Sequence, residues 1–305
     1  MSSDSIELAR KGARWRPLGE RKRSPFTRAI TQPPFHDEAG RKGWLHRFAH
    51  AQPHAVRHLR LEIAQWPKWP RPLRVAFLSD FHTGSHSNDV MRLNAMVDEV
   101  SAYCPDLVLF GGDYVNMQWA GGGRVPPHTI AAALGQTRAP LGRYAILGNH
   151  DYTYDARAVT RALTEHGLSV LDRECRRIKF ENISFDLAAI PDEHLGCEKA
   201  SSLLKNLSSA PTIVLAHDPA WFGSLPPGPY LMLAGHTHGG QIKLPGLGVI
   251  RNASKAPLRW SYGLIREREQ LLYVTSGIGT SGIPLRWRVP PEFVILDLIG
   301  RAPNA

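Results

Sequence analysis

Five short apolar runs set the tightest limit on what this 305-residue chain can fold into, because each one stops in residues able to hold a cation or a proton. They are LRVAFLSD ending at Asp80, DLVLFGGD ending at Asp113, RYAILGNHD ending in Asn149, His150 and Asp151, TIVLAHDP with His217, and YLMLAGHTH with His236 and His238. Uninterrupted apolar runs of this length are expected of strands covered on both faces. Helical spacing falls between them at 88–103 (Leu93, Met96, Val97, Val100), 126–138 and 155–166, the last followed by Gly167 as a stop signal. Alternating strand and helix predicts an α/β fold. GLIRERE, QLLYVTS and FVILDLI near the C-terminus add strands, in a mixed sheet or a second one. Reactive groups of open α/β sheets gather beyond the carboxyl ends of the strands, so five such endings are predicted to face one crevice.

Taken singly, none of these residues is informative. Aspartate after a strand is a usual turn or cap residue, Asn149 after Gly148 is an ordinary turn, and an isolated histidine is commonly a satisfied polar group. Jointly they differ, since independent turns have no reason to draw every ending from Asp, Asn and His. The stretch GHTHGG adds glycines that let the backbone turn sharply and come close to an ion. Alternate residues of an extended chain point the same way, so His236 and His238 can serve one site.

Charge is distributed unevenly. Residues 1–72 carry fifteen Lys and Arg against six Asp and Glu, whereas the remainder carries 22 against 21. Residues 1–40 are basic and Pro-punctuated without periodicity, which predicts disorder. Segments 41–51 and 54–65 read as helical, presenting Trp44, Leu45, Phe48, Val56, Leu59 and Ile63, and WPKWPRP reads as a linker. The chain is thus divided into a basic N-terminal arm with short amphipathic helices, 1–72, suited to an anionic membrane surface, and a folded domain, 73–305. Arg21-Lys22-Arg23 reaches Pro33-Pro34 without the apolar stretch of an export signal. No apolar run approaches the ~18 residues of a membrane-spanning helix. Cys104, Cys175 and Cys197 are too few and scattered for a disulfide framework. A cytoplasmic protein, peripheral on the inner membrane face, is expected.

The ordered set SDFH, GGD, GNHD, AHDP and GHTHGG resembles the calcineurin-like metallophosphoesterase superfamily over residues 73 to about 299. GHTHGGQIKLP and LYVTSGIGTSGIPLRWRVPPEF are similar to its bacterial membrane-associated phosphodiesterase branch. The resemblance implies a four-layer α/β/β/α sandwich of two mixed sheets with a two-metal centre. It implies that Asp80, His82 and His238 hold one ion, that Asn149, His217 and His236 hold the other, and that Asp113 bridges both. His150 would sit beside the substrate phosphoryl group, with Asp151 orienting its imidazole. The implied activity is hydrolysis of a phosphodiester or pyrophosphate bond by a metal-bridging hydroxide. Its substrate would be small or lipid-linked, such as UDP-2,3-diacylglucosamine, and met at a membrane surface.

Mixed imidazole, carboxylate and amide-oxygen ligands suit Mn, Fe or Zn better than Ca or Mg alone, and Mn is expected first. Two alternatives compete with this activity. A nuclease is encouraged by the basic arm but opposed by the near-neutral remainder, because groove-binding nucleases need cations beside the site. A catalytically silent metal-binding scaffold is opposed by the presence of His150 and Asp151 beside every expected ligand. No nucleic-acid or protein partner is expected.

Overall fold

Each of the five apolar runs forms a strand with both faces covered. The computed structural model describes residues 52–86, 88–118, 123–192, 197–207, 210–282 and 284–301. The disorder expected over 1–40 and the helix expected over 41–51 lie outside the described residues. The first half of the fold runs β1 (Ala55–Ala64), β2 (Leu73–Leu78), α1 (Asp89–Ala102), β3 (Leu107–Phe110), α2 (Pro127–Leu134), β4 (Arg143–Ala145), α3 (Asn149–Glu165) and β5 (Ser169–Val170). Then follow β6 (Cys175–Phe180), β7 (Ile183–Ile190), α4 (Cys197–Lys205), β8 (Thr212–Ala216) and β9 (Tyr230–Ala234). A small hairpin, β10 (Lys243–Leu244) with β11 (Gly248–Val249), precedes β12 (Gly263–Glu267), β13 (Gln270–Val274) and β14 (Glu292–Arg301).

Two six-stranded mixed sheets result, ordered β1-β14-β2-β3-β4-β5 and β12-β13-β9-β8-β7-β6. The alternation of side chains along each strand explains why its sequence is apolar throughout. From β2 and β3, Val75, Phe77, Leu107 and Leu109 join Leu187, Ile213, Leu215, Leu231 and Leu233 of the other sheet in one core between the sheets. Their neighbours Ala76, Leu78, Val108 and Phe110 face the other way, onto Leu93, Met96, Ile130, Val159 and Leu163 of the helices α1 to α3. On the second sheet Val214, Met232 and Leu272 pack against Ala200, Leu204, Phe222 and Trp260. These are the four layers of an α/β/β/α sandwich.

Two expectations are corrected. Residues 54–65 do not form a helix: Ala55–Ala64 is an edge strand, parallel to β14 in an unbroken ten-residue register from Ala55↔Glu292 to Ala64↔Arg301. The spacing of Val56, Leu59 and Ile63 suits a helix, but Leu59, Leu61 and Ile63 also alternate with His58, Arg60 and Glu62, and pairing with β14 selects that period. WPKWPRP is not a free linker either. Trp66 is fully buried, its indole N–H donating to the Pro229 carbonyl at 2.6 Å, and Trp69 packs beside it with ring centroids 5.2 Å apart and planes tilted by 34°. Residues 55–72 therefore belong to the folded domain, and the division at 72/73 does not hold for them.

The third helix also starts earlier than its apolar spacing indicates. Its chain from 156 onward matches the predicted span, but Asp155 breaks the helix with φ −175° and ψ 96°, and a first piece begins at Asn149. Asn149, His150 and Asp151 thus occupy the opening turn of α3, directly after β4.

Candidate metal centre

The loops after β2, β3, β4, β8 and β9 bring every sequence-predicted site residue into one buried cluster. Three groups have ligand atoms all within 4.8 Å of one another: Asp80, His82 and His238; His82, Asp113 and His150; and Asp113, His217 and His236. Asp113 links the groups. Its Oδ2 lies 3.5 Å from His82 Nε2 on one side and 3.4 Å from His217 Nε2 on the other. His82 Nε2 and His238 Nε2 face each other at 3.1 Å. Asn149 Oδ1 and His236 Nδ1 each approach His217 Nε2 at 3.2 Å.

The local backbone is strained to achieve this. Asp80, His82, Asp113, His236 and His238 all have positive φ, at 55°, 39°, 56°, 66° and 52°. Left-handed backbone costs an L-residue roughly 1–2 kcal/mol, and such outliers persist where the surroundings over-determine them. Glycines leave the space needed. A Cβ on Gly148 would run into the Asp113 carboxylate, and one on Gly235 into Asp80 and Ser79.

These residues fit divalent cations by the chemistry of their donor set. Burial and the neighbouring His150 push the His82 pKa down to about 3, and burial with His82 holds His238 well below the usual imidazole value. Both are therefore neutral lone-pair donors, yet their Nε2 atoms point at one another. His82 Nδ1 has no hydrogen-bond partner, so no bond dictates which nitrogen carries the proton. His217 is fixed by its back face, Nδ1–H donating to the Gly111 carbonyl at 2.7 Å, which leaves Nε2 for the centre. His236 Nε2–H likewise donates to the Ala253 carbonyl at 3.3 Å and leaves Nδ1. Burial opposes a charge on His217, but the charge and hydrogen bond of Asp113, with Asp80 behind, raise its pKa well above the usual value. This is the side on which His217 would meet a cation, and a cation bound there would compete with the proton. Burial raises the Asp80 pKa; on Asp113 the same burial is outweighed by His217 and His150, and its pKa falls well below the ordinary carboxylate value.

His150 lies against His82, edge to face at 4.6 Å between ring centroids, with its Nε2 3.4 Å from Ser281 Oγ. The expectation that Asp151 orients this imidazole is corrected, because His150 Nδ1 has no hydrogen-bond partner. The Asp151 carboxylate instead accepts the backbone N–H groups of Asp113 at 2.8 Å, Tyr114 at 2.9 Å and Gly148 at 2.9 Å. It clamps the Asp113 loop to the start of α3. Burial and the Asp113 charge, working against those backbone bonds, push its pKa up to about 7.

Sequence reasoning missed Arg286 and Glu292. Arg286 is buried, and its guanidinium donates to the carbonyls of Ser276, Gly277 and Gly279, with Nη2 3.5 Å from His238 Nδ1. Glu292 is fully buried and takes the hydroxyls of Tyr262 and Tyr273 and the backbone N–H of Ser276. Together they hold the 275–279 loop, where a Cβ on Gly277 would strike Asp80. A charged residue in each of the otherwise uncharged stretches PLRW and PPEF was the available signal. Asn116 ties the loop after β3 by donating to the Gly123 carbonyl at 2.8 Å.

A four-layer α/β/β/α sandwich with a His, Asp and Asn cluster at its strand ends defines a class of metal-binding hydrolase folds. Within that class, the calcineurin-like phosphoesterase family matches residues 73–240, more than half of the chain, and the protein belongs to this family. An uncharacterised metallophosphoesterase of Helicobacter pylori J99 is 31% identical over 237 residues, covering 76% of this chain. The chain spans 61% of that relative's length. The phosphodiesterase YaeI of Escherichia coli K12 is 29% identical over 272 residues, covering 84% of this chain and 92% of its own. No helix among the described residues is long and apolar enough to cross a membrane.

Proposed function

We propose that this protein is a two-metal phosphohydrolase that cleaves a phosphodiester or pyrophosphate bond, with Mn as the working ion. The placement of Asp113 Oδ2 within 3.5 Å of both His82 and His217 carries this conclusion, because a shared carboxylate is what keeps two cations close despite their repulsion. Asp80, His82 and His238 would hold one ion, and Asn149, His217 and His236 the other. Bound ions would supply Lewis acidity toward the phosphoryl oxygens and lower the pKa of water. The chain's own part is positional and protonic. His150, half-buried beside both ligand groups, meets the leaving oxygen and donates a proton to it. Asp151 keeps the Asp113 loop and the α3 opening turn in register. The name of the YaeI relative, a phosphodiesterase, favours a diester over a monoester.

The substrate is small or lipid-linked and met at an anionic membrane surface, on the cytoplasmic side. Two exposed free thiols, Cys104 and Cys175, suit a reducing compartment. The basic residues before β1 would supply the surface attraction. Hydrolysis of bis(p-nitrophenyl) phosphate, p-nitrophenyl phosphate, UDP-2,3-diacylglucosamine and single-stranded DNA by Mn-reconstituted protein tests the substrate class. Chelation should abolish turnover and Mn should restore it. Full activity in excess chelator after dialysis would defeat the proposal.

A further inference from the structure

A cavity of about 530 Å³ opens beside the turn that carries His238. Gly239, the residue after His238, forms part of its wall. Arg57, Lys243, Arg259 and Arg288 line it, no acidic side chain does, and Ser261 and Tyr262 complete its polar lining. Arg57 is paired with Glu292 at 3.2 Å and Arg259 with Glu267 at 2.9 Å. Lys243 and Arg288 make no ion pair among the described residues, so two positive charges face the cavity uncompensated. Cations gathered round a concave wall repel one another and focus a positive potential into it. An arrangement of this kind is relieved by an anion.

The rim carries a second signal. Of the six exposed large apolar side chains among the described residues, five lie between 247 and 287: Leu247, Ile250, Leu258, Leu285 and Trp287. Four of them lie on the segments that form the cavity wall. Leu258 lines it directly, Leu247 and Ile250 belong to the β10–β11 hairpin region, and Trp287 is bridged to Ile242, its carbonyl accepting the Lys243 N–H at 3.0 Å. Apolar groups left in water around a cationic hollow match a ligand with an anionic group and an apolar body.

We propose that this cavity is a subsite for a phosphate monoester group carried by the substrate, seated beside the phosphoryl group that the metal centre cleaves. The proposal rests on the phosphoesterase function above. Lys243 supplies a point charge and Arg288 a planar fork able to take two phosphate oxygens. The Tyr262 hydroxyl donates to Glu292 at 2.7 Å and serves the wall instead of the ligand.

The test compares two diesters with Mn-loaded, full-length protein: ethyl p-nitrophenyl phosphate, and its counterpart bearing a terminal phosphate on the ethyl arm. The added phosphate should lower KM roughly ten-fold, the effect of one hydrogen bond to a charged group. The double variant Lys243→Gln/Arg288→Gln should lose that gain while keeping kcat/KM for the uncharged arm. Equal KM values in the wild type, or an undiminished gain in the variant, would overturn the subsite. If neither diester is hydrolysed, the phosphoesterase function has failed on its own account. Calorimetry with methyl phosphate then decides the subsite, binding to the wild type and not to the double variant supporting it, and equal or absent binding overturning it. Sedimentation with phosphatidylcholine vesicles, with and without phosphatidic acid, identifies the source of the phosphate. Because the basic residues before β1 would hold the protein to any anionic surface, phosphatidylserine vesicles of equal charge set the baseline, and retention on phosphatidic acid above that baseline, lost in both the double variant and Trp287→Ser, assigns a lipid headgroup. A KM gain without that excess retention supports the subsite with a soluble phosphate compound.

Discussion

The β1–β14 edge and the rim of ligand-bearing strand ends lie on the same pair of sheets and are built in opposite ways. Along the edge, ten consecutive residue pairs keep one parallel register, and no residue from 55 to 64 has positive φ. Leu61, Ile63 and, just beyond the strand, Trp66 and Trp69 enter the core between the sheets. At the rim, five of the seven proposed ligands hold left-handed backbone, and His82 Nδ1, His150 Nδ1 and Ser79 Oγ are buried without a partner. Regular pairing and apolar burial make the edge a source of stability. The rim draws on that stability to hold polar groups where they are poorly satisfied until a cation and substrate meet them. Substitutions should therefore separate cleanly, with activity lost at the rim and folding free energy lost at the edge.

The largest effect is expected at Asp113. Asp113→Ala removes a ligand from both proposed ions, and turnover of bis(p-nitrophenyl) phosphate should fall by at least about a thousand-fold, as when a main source of transition-state charge stabilisation is lost. Elemental analysis should find fewer than two ions bound. Two retained ions with near-normal turnover would remove Asp113 from its bridging place. The matching change at the edge is Trp66→Ala, which empties the largest fully buried side chain among the described residues and removes the indole donor to the Pro229 carbonyl. It should cost about 3–5 kcal/mol in urea unfolding, with turnover per folded molecule unchanged. A Trp66→Ala protein of undiminished stability would erase the contrast.

His150→Ala should keep its metal content and lose about a hundred-fold in kcat on an alkyl ester, with a smaller loss on p-nitrophenyl esters whose leaving groups need less protonation. Equal losses on both would make His150 an electrostatic aid instead of a proton donor. A smaller, pH-dependent effect is expected where β14 meets β1 and β2. Asp297 accepts from Arg74 at 2.7 Å and from His58 at 2.8 Å. Burial raises its pKa, but those two bonds outweigh burial and hold it below the ordinary carboxylate value. The ionised form is thus favoured on folding. This stability is present above the unfolded value of about 3.9 and is lost as pH falls through the folded one. Asp297→Asn should cost about 1 kcal/mol at neutral pH, and the gap to the wild type in urea midpoint should close in acid. A gap independent of pH would mean that the charge is not responsible.

The finest test returns to the rim. Because Asp113 has φ 56°, Asp113→Gly should be more stable than Asp113→Ala by about 1 kcal/mol, both lacking the carboxylate but only glycine accepting left-handed backbone without strain. Equal melting temperatures would show that the rim relaxes once the ligand is gone.

The amino-acid sequence by itself determined the strands that carry the site and the residue types at their ends. An apolar run covered on both faces is a local pattern, and Asp80, Asp113, Asn149, His217 and the His236–His238 pair all follow such runs directly. Tertiary structure decided what local pattern leaves open. Whether Val56, Leu59 and Ile63 belong to a helix or Leu59, Leu61 and Ile63 to a strand depends on β14, more than 200 residues away, offering its edge. The clamp made by Asp151 needs the N–H groups of Asp113 and Tyr114, which the fold alone brings to it. The seat of Arg286 is likewise assembled from the carbonyls of a loop that packs on Asp80 and His82. Periodicity reports what one segment needs to bury, whereas register, clamps and cavities depend on which distant segment arrives to meet it.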